Sequence, residues 1–236
     1  MSDSGIFTAL LLAFLDRTGK ARVVEKTPVH LRHVDDILAC LPDARIIWIL
    51  RDGRGCIASL RRMNWASHDI ATLSHQWTPN MAFGLHAKRR HVAKVLITRY
   101  EDLTAQPQAE ITRILEWVGE PFSEATLDTT QETTAISDAE ESWKGNVRKP
   151  IQSDRAEAWR KELAADQVLV AEAVMGPMLR RLGYDAPVVN GLTAKSEQLR
   201  QFFEMSSLGI ALQKRLFDFQ ASRRFAPWGA NRGTRG

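Results

Sequence analysis

The most informative run of this 236-residue chain is Ala44-Arg45-Ile46-Ile47-Trp48-Ile49-Leu50-Arg51-Asp52-Gly53-Arg54-Gly55-Cys56-Ile57-Ala58-Ser59. Its apolar part has the length of a β-strand and ends at Arg51, after which a glycine-containing turn leads into a predicted helix. Ser59 follows Arg51 by eight residues and lies two turns into that helix. In open α/β sheets, ligands bind at the carboxyl ends of the strands. An arginine, free amides at a helix N-terminus and a hydroxyl at such an end predict a site for a phosphate.

The elements on either side of this run alternate between strands and helices. Periodicity and turn residues predict strands at 22–25, 45–50 and 93–99, and helices at 6–15, 31–41, 53–62, 70–91, 107–118, 154–163 and 166–182. Residues 128–153 show no periodicity and are predicted to form a long loop. The alternation predicts a parallel sheet flanked by helices.

Charge and cysteine content limit the possible functions. From Lys214 onward there are six basic residues and one acidic residue, which leaves the rest of the chain close to neutral despite a net charge of +4. Basic residues are not interleaved with aromatic ones, so nucleic-acid binding is not expected. The two cysteines, Cys40 and Cys56, form no CxxC motif and no metal-ligand cluster. They indicate a reduced, cytoplasmic protein without a metal, and a single disulfide between them is the alternative that the sequence leaves open.

Residues 6–15 are almost entirely apolar. No basic segment precedes them and no small-residue cleavage site follows, so a signal peptide is not expected. The run is too short to cross a bilayer. We therefore predict a buried helix.

Four motifs occur in a fixed order along the chain. They are Glu25-Lys26-Thr27-Pro28, the run at 44–59, Tyr100-Glu101-Asp102-Leu103 and the segment 143–152 (WKGNVRKPIQ). Together they resemble the sulfotransferases that use 3′-phosphoadenosine 5′-phosphosulfate (PAPS), above all the tyrosylprotein and related bacterial enzymes. The resemblance covers about residues 22–184 and is most specific at 44–59.

The resemblance implies how the nucleotide is held. Arg51 and Ser59 match the ligands of the 3′-phosphate, and Tyr100 matches a tyrosine near the nucleotide. A phosphate dianion requires a forked cation together with hydroxyl or amide donors, which these residue types supply. The later segment resembles a loop that covers the cofactor, and it adds the candidate ligands Lys144, Gly145, Arg148 and Lys149, with Arg155 in place of a basic residue missing at Ala158.

The resemblance also implies candidates for catalysis. Lys26 matches a lysine near the bridging oxygen of the phosphosulfate, where an ammonium neutralises charge on the leaving phosphate. Glu25 is a candidate base for the acceptor hydroxyl. Ser142 lies one residue from the position of a serine in the family.

One part of the family pattern has no counterpart in this chain. These enzymes begin with a strand and a loop of the form Gly-x-x-Arg-Ser-Gly-Thr-Thr that binds the 5′-phosphosulfate, and their usual catalytic glutamate follows that loop. Neither is found here. The expected fold is thus α/β, a P-loop-NTPase-like sulfotransferase fold with a parallel sheet flanked by helices and its first strand and loop missing, over residues 1–185. We expect truncation of an active enzyme or a degenerate relative.

Other functions remain open from the sequence. Residues 186–236 are predicted to form a linker, an amphipathic helix at 195–219 and a basic tail, which could make the chain a non-catalytic module that docks on a partner or an anionic membrane. A P-loop kinase is a weaker alternative because no Gly-x-x-x-x-Gly-Lys-Ser/Thr motif occurs. The acceptor of a sulfotransferase, whether protein tyrosine, carbohydrate or lipid hydroxyl, is not identified, and neither is the oligomeric state.

Overall fold

A computed structural model describes residues 3–63, 65–129 and 150–188. The sheet in this part of the chain has two parallel strands, β1 (Ile46–Leu50) and β2 (Val95–Arg99). They pair in register from Ile46 opposite Val95 to Leu50 opposite Arg99. The predicted parallel architecture is confirmed, and the carboxyl ends of both strands lie at the same edge.

Helices cover the sheet and supply most of the core. Their bounds are α1 (Asp3–Thr18), α2 (Val34–Cys40), α3 (Gly53–Leu60), α4 (Ile70–Arg90), α5 (Tyr100–Ala105), α6 (Pro107–Val118), α7 (Trp159–Glu162) and α8 (Ala165–Arg181), with 3₁₀ turns at Pro28–His33, Glu124–Leu127 and Ser153–Arg155. Gly183 ends α8 with φ of 77°, as a left-handed C-cap glycine does.

The long helix α4 crosses one face of β1 and packs against α3 and α8. Trp48 on β1 is buried beneath it, and the Trp48 ring lies so close to the α4 backbone that a Cβ on Gly84 would lie 2.5 Å from the ring. Glycine at 84 is therefore a packing requirement, although it is a poor helix former. The adjacent β1 residues Ile47 and Ile49 point to the other face and remain 38% and 46% exposed.

Three sequence predictions are wrong in detail. Residues 22–25 are not a strand: the segment has no strand neighbour among the described residues, and Val24 is 92% exposed. Helix α1 forms as predicted but is not buried, because a helix that is apolar on all sides can pack on only one, and Leu10 and Leu12 stay 65% and 59% exposed. The predicted helix at 154–163 is divided into a 3₁₀ turn and the short α7.

The described helices include none that is both long and apolar enough to cross a membrane. The predicted linker, amphipathic helix and basic tail beyond residue 188 lie outside the described residues.

Candidate functional site

A cleft of about 480 Å³ lies beside the carboxyl end of β1. Four of the predicted nucleotide ligands, Arg51, Ser59, Tyr100 and Arg155, line it. They come from the end of β1, from α3, from the start of α5 and from the 3₁₀ turn before α7. The fold thus brings together residues that are up to 104 positions apart in the sequence.

Arg51 is held in a defined position within this cleft. Its guanidinium lies 4.2 Å from the centroid of the Tyr100 ring, and Nη2 donates a hydrogen bond of 3.0 Å to the carbonyl of Arg155. A Cβ on Gly55 would lie 3.0 Å from Arg51 Nε, so glycine there leaves the space that the side chain occupies. Nε is buried and has no hydrogen-bond partner among the described residues, which leaves a donor available beside the cleft.

The N-terminus of α3 differs from the sequence expectation. The amide of Arg54 is not free for a phosphate, because it donates to Oδ1 of the capping residue Asp52 at 2.8 Å. A carboxylate at this end also disfavours an anion. One of the amides expected to be free is therefore capped, and Arg51 and Ser59 stay the predicted phosphate ligands of the motif.

Arg54, the last arginine of the motif, faces away from solvent and is 4% exposed. Its Nη2 donates to Asp52 Oδ2 at 2.7 Å and its Nη1 to Glu172 Oε1 at 2.6 Å. The same guanidinium lies 4.1 Å from the centroid of the Trp159 ring and also donates to the carbonyl of Asp185. Arg54 therefore joins α3 to α7 and α8 behind the cleft.

Glu101, in the Tyr100–Leu103 motif, fixes the turn after β1. Its Oε1 accepts the Asp52 backbone N–H at 3.0 Å, and its Oε2 accepts the Tyr184 hydroxyl at 3.1 Å. Burial, together with the neighbouring Glu101 charge, raises the pKa of Tyr184 well above its ordinary value. The motif thus contributes one cleft residue, Tyr100, and one residue that anchors the adjacent turn.

Sequence reasoning missed two charged residues of the cleft, Arg62 and Glu162. Glu162 Oε1 accepts a hydrogen bond of 2.6 Å from Arg62 Nη1 and lies 3.9 Å from Arg155 Nη1. An Arg-Arg pair directly after α3 was a signal for Arg62. Glu162 carried no such signal, because its proximity to the cleft depends on how α7 packs.

The catalytic candidates Lys26 and Glu25 do not line this cleft. They lie in the extended segment before Pro28, where Lys26 is exposed. Both carboxylate oxygens of Glu25 have local partners: the Thr27 hydroxyl donates to Oε1, and His30 Nδ1 lies 2.7 Å from Oε2.

The remaining candidates, Ser142, Lys144, Gly145, Arg148 and Lys149, lie outside the described residues. The described chain resumes at Pro150, which lines the cleft next to Ile151. Pro150 is therefore the described residue that follows the predicted loop directly in sequence.

The described residues of this region do not support catalysis by a cysteine thiol or binding of a metal ion. Burial raises the pKa of the Cys56 thiol to about 12, so it is not a nucleophile at neutral pH. No group of three or more metal-ligating side chains occurs among the residues that the structure describes. Besides the Glu162 carboxylate, the cleft offers cations and hydroxyls, which are groups that can bind an anion.

Comparison with known proteins agrees with this chemistry. Protein-tyrosine sulfotransferase A of Caenorhabditis elegans is 27% identical over 173 residues, which are 70% of this chain and 45% of that protein. Carbohydrate sulfotransferase 1 of Rattus norvegicus is 27% identical over 189 residues, with 70% and 45% covered. The solved sulfotransferase domain from the Synechococcus PCC 7002 olefin synthase superposes with a TM-score of 0.59 at 25% identity, covering 76% of this chain and 65% of that one.

The chain spans about half the length of the curated proteins that it matches, or less. A family model described as the sulfotransferase family matches residues 3–124, which are about half of this chain and contain the 25–28, 44–59 and 100–103 motifs. The chain belongs to the sulfotransferase family.

Proposed function

We propose that this chain binds PAPS through its 3′-phosphate in the cleft at the end of β1 and serves sulfuryl transfer to a hydroxyl acceptor. The observation that carries the proposal is the convergence of Arg51, Ser59, Tyr100 and Arg155 on one cleft of about 480 Å³. This volume is in the range of sites for small organic ligands. The unpartnered Arg51 Nε and the two basic ligands Arg51 and Arg155 suit a phosphate group.

Each of these residues has a role in the proposed complex. Arg51 supplies the forked cation and Ser59 a hydroxyl donor to the 3′-phosphate. Tyr100 keeps Arg51 in place through stacking, so little ordering of the arginine is needed when the ligand binds. PAPS, when bound, supplies the sulfuryl group, whose bond to a phosphate oxygen breaks as its bond to the acceptor oxygen forms.

The chemical half of the proposal rests on Lys26, an exposed ammonium that can neutralise charge on the leaving phosphate. Glu25 remains the candidate for accepting the proton of the acceptor hydroxyl, although this requires displacement of one of its present partners, Thr27 or His30. The similar proteins include a protein-tyrosine and a carbohydrate sulfotransferase, and tyrosine and carbohydrates both present hydroxyl groups.

The binding half can be tested with 3′-phosphoadenosine 5′-phosphate (PAP), the desulfated product. We expect PAP to raise the melting temperature of the full chain. Arg51→Gln should weaken PAP binding by at least about tenfold, since a charge-assisted hydrogen bond is lost. Arg45→Gln is the matched control, because it removes the same charge at the opposite end of β1, where Arg45 lies over Trp117. Equal PAP affinity of the two variants would contradict the assignment.

The transfer half requires a separate measurement. With sulfur-35-labelled PAPS and a panel of tyrosine peptides, oligosaccharides and hydroxylated lipids, we expect label to move to one acceptor class. Lys26→Met should reduce the transfer rate more than it weakens PAP binding, because Lys26 lies outside the cleft that takes the 3′-phosphate. If the chain binds PAP but transfers label to no acceptor, it is a nucleotide-binding protein, and the proposed sulfuryl transfer is rejected.

A further inference from the structure

The described part of the cleft contains three arginines and one carboxylate. Arg51, Arg62 and Arg155 supply the positive charges, and Glu162 is the one acidic side chain among the described lining residues. A carboxylate in a site for a phosphate repels the ligand, so its presence there requires a reason.

Glu162 interacts with two of the three arginines, Arg62 and Arg155, whose side chains are 49% and 31% exposed. Its Oε1 accepts from Arg62 Nη1 at 2.6 Å and lies 3.9 Å from Arg155 Nη1. Arg51 is outside this group and is held by Tyr100 and the Arg155 carbonyl. Glu162 therefore interacts with Arg62 and Arg155 and leaves Arg51 to the ligand.

The ion pairs of Glu162 are weak enough to exchange partners. The side chains of Arg62 and Glu162 are 49% and 30% exposed, and ion pairs at such exposure contribute little to stability. A phosphate dianion offers Arg62 more charge than a carboxylate does, and it can replace Glu162 as the partner. After the exchange the Glu162 charge stays near the ligand and weakens its binding.

We propose that Glu162 is an internal competitor of the nucleotide phosphate, and that Arg62 is an additional phosphate-binding residue which Glu162 holds when the cleft is empty. This inference rests on the proposed nucleotide site. Its functional consequence is a limit on nucleotide affinity, which accelerates dissociation of the PAP product.

The test compares PAP binding by the full-length wild type and Glu162→Gln, using calorimetry and stopped-flow dissociation. Removing one charge near a dianion in a solvent-exposed cleft should tighten binding by about tenfold. The gain should appear mainly as slower dissociation. Adenosine 5′-monophosphate, which lacks the 3′-phosphate, should gain less than about threefold.

The matched control is Glu157→Gln. It removes the same charge from the same segment, but Glu157 pairs with Arg160 and does not line the cleft. Its PAP affinity should stay within about twofold of the wild type. In the double variant Arg62→Gln/Glu162→Gln most of the gain should disappear, because the freed arginine is absent.

The possible failures are distinguishable. If the wild type binds PAP and Glu162→Gln binds it no more tightly, the competitor role is wrong while the proposed function stands. If the gain persists in the double variant, Arg62 is not the additional ligand. A wild type that does not bind PAP at all rejects the proposed function and the inference with it.

Discussion

Arg54 Nη1 donates a hydrogen bond of 2.6 Å to Glu172 Oε1, which joins two helices across 118 residues of sequence. Both side chains are at least nine-tenths buried. Arg51, only three positions earlier, is directed into the cleft instead. Arg51 and Arg54 of the motif at 44–59 thus have different tasks: Arg51 faces the proposed ligand and Arg54 holds α3 against α8.

The buried position of Arg54 predicts a large effect of its removal. In Arg54→Ala the carboxylates of Asp52 and Glu172 lose their common partner in a water-poor environment. We expect the free energy of unfolding to fall by about 3–5 kcal/mol, measured by urea denaturation of the full chain. Arg160→Ala is the control, because Arg160 stacks on the same ring as Arg54, that of Trp159, but from an exposed position. It should cost less than about 1 kcal/mol, and equal losses would reject the structural role of Arg54.

Local patterns in the sequence were sufficient to predict β1, α3 and the cleft residues Arg51 and Ser59. These features depend on an apolar run, a glycine-containing turn and a fixed spacing, which are all contained in sixteen residues. The supposed strand at 22–25 has a strand-like composition, but a strand needs a hydrogen-bonding neighbour, and composition does not supply one. The roles of Arg54 and Glu162 depend on contacts with distant helices and could not be read from their neighbours in sequence.

Gly84 provides a second prediction, in which helix propensity and packing oppose each other. Alanine is a better helix former than glycine by about 1 kcal/mol. A Cβ at 84 would nevertheless lie 2.5 to 2.6 Å from three atoms of the Trp48 ring, which is fixed beneath α4. We expect Gly84→Ala to destabilise the protein by about 1–3 kcal/mol, seen as a lower midpoint of urea unfolding.

Gly176 in α8 is the matched control for Gly84. The nearest atom to a Cβ there is Arg180 Nη1 at 3.2 Å, at the end of a flexible side chain. Gly176→Ala should therefore be neutral or stabilising by up to about 1 kcal/mol. Destabilisation of the same size at both positions would indicate that the close approach of α4 to Trp48 is not the cause.

Tyr184 gives a prediction at alkaline pH. Its pKa is raised by burial and by the Glu101 charge, so the folded protein keeps this phenol protonated above the ordinary tyrosine pKa of about 10. A group with a raised pKa contributes stability that is complete below its unfolded pKa and is lost as the pH rises towards the folded one. In Tyr100→Phe, which leaves Tyr184 as the single tyrosine, absorbance at 295 nm should rise only together with alkaline unfolding.

A second variant tests how much Glu101 contributes to the raised pKa of Tyr184. In Tyr100→Phe/Glu101→Gln the neighbouring charge is absent, and ionisation of Tyr184 should begin at a lower pH than in Tyr100→Phe. Ionisation in the folded Tyr100→Phe protein at the ordinary phenol pKa would contradict the buried position of this side chain.

Asp35 gives the last prediction, at acidic pH. Although partial burial raises its pKa, the hydrogen bond from His91 and the charges of Arg90 and His86 hold it below the ordinary value. His91 Nε2 lies 2.7 Å from Asp35 Oδ1, so the carboxylate joins α2 to the end of α4. A lowered pKa means that its stabilising contribution is complete above about pH 4, the unfolded pKa, and is lost as the pH falls through the folded one. Asp35→Asn should therefore melt several degrees below the wild type at pH 6, and the two melting curves should converge near pH 2.

Asp36→Asn is the control for helix-dipole effects, because the neighbouring carboxylate lies in the same first turn of α2 and pairs with His33 at 3.3 Å. A melting difference for Asp35→Asn that is independent of pH would mean that the carboxylate acts through packing and not through its charge.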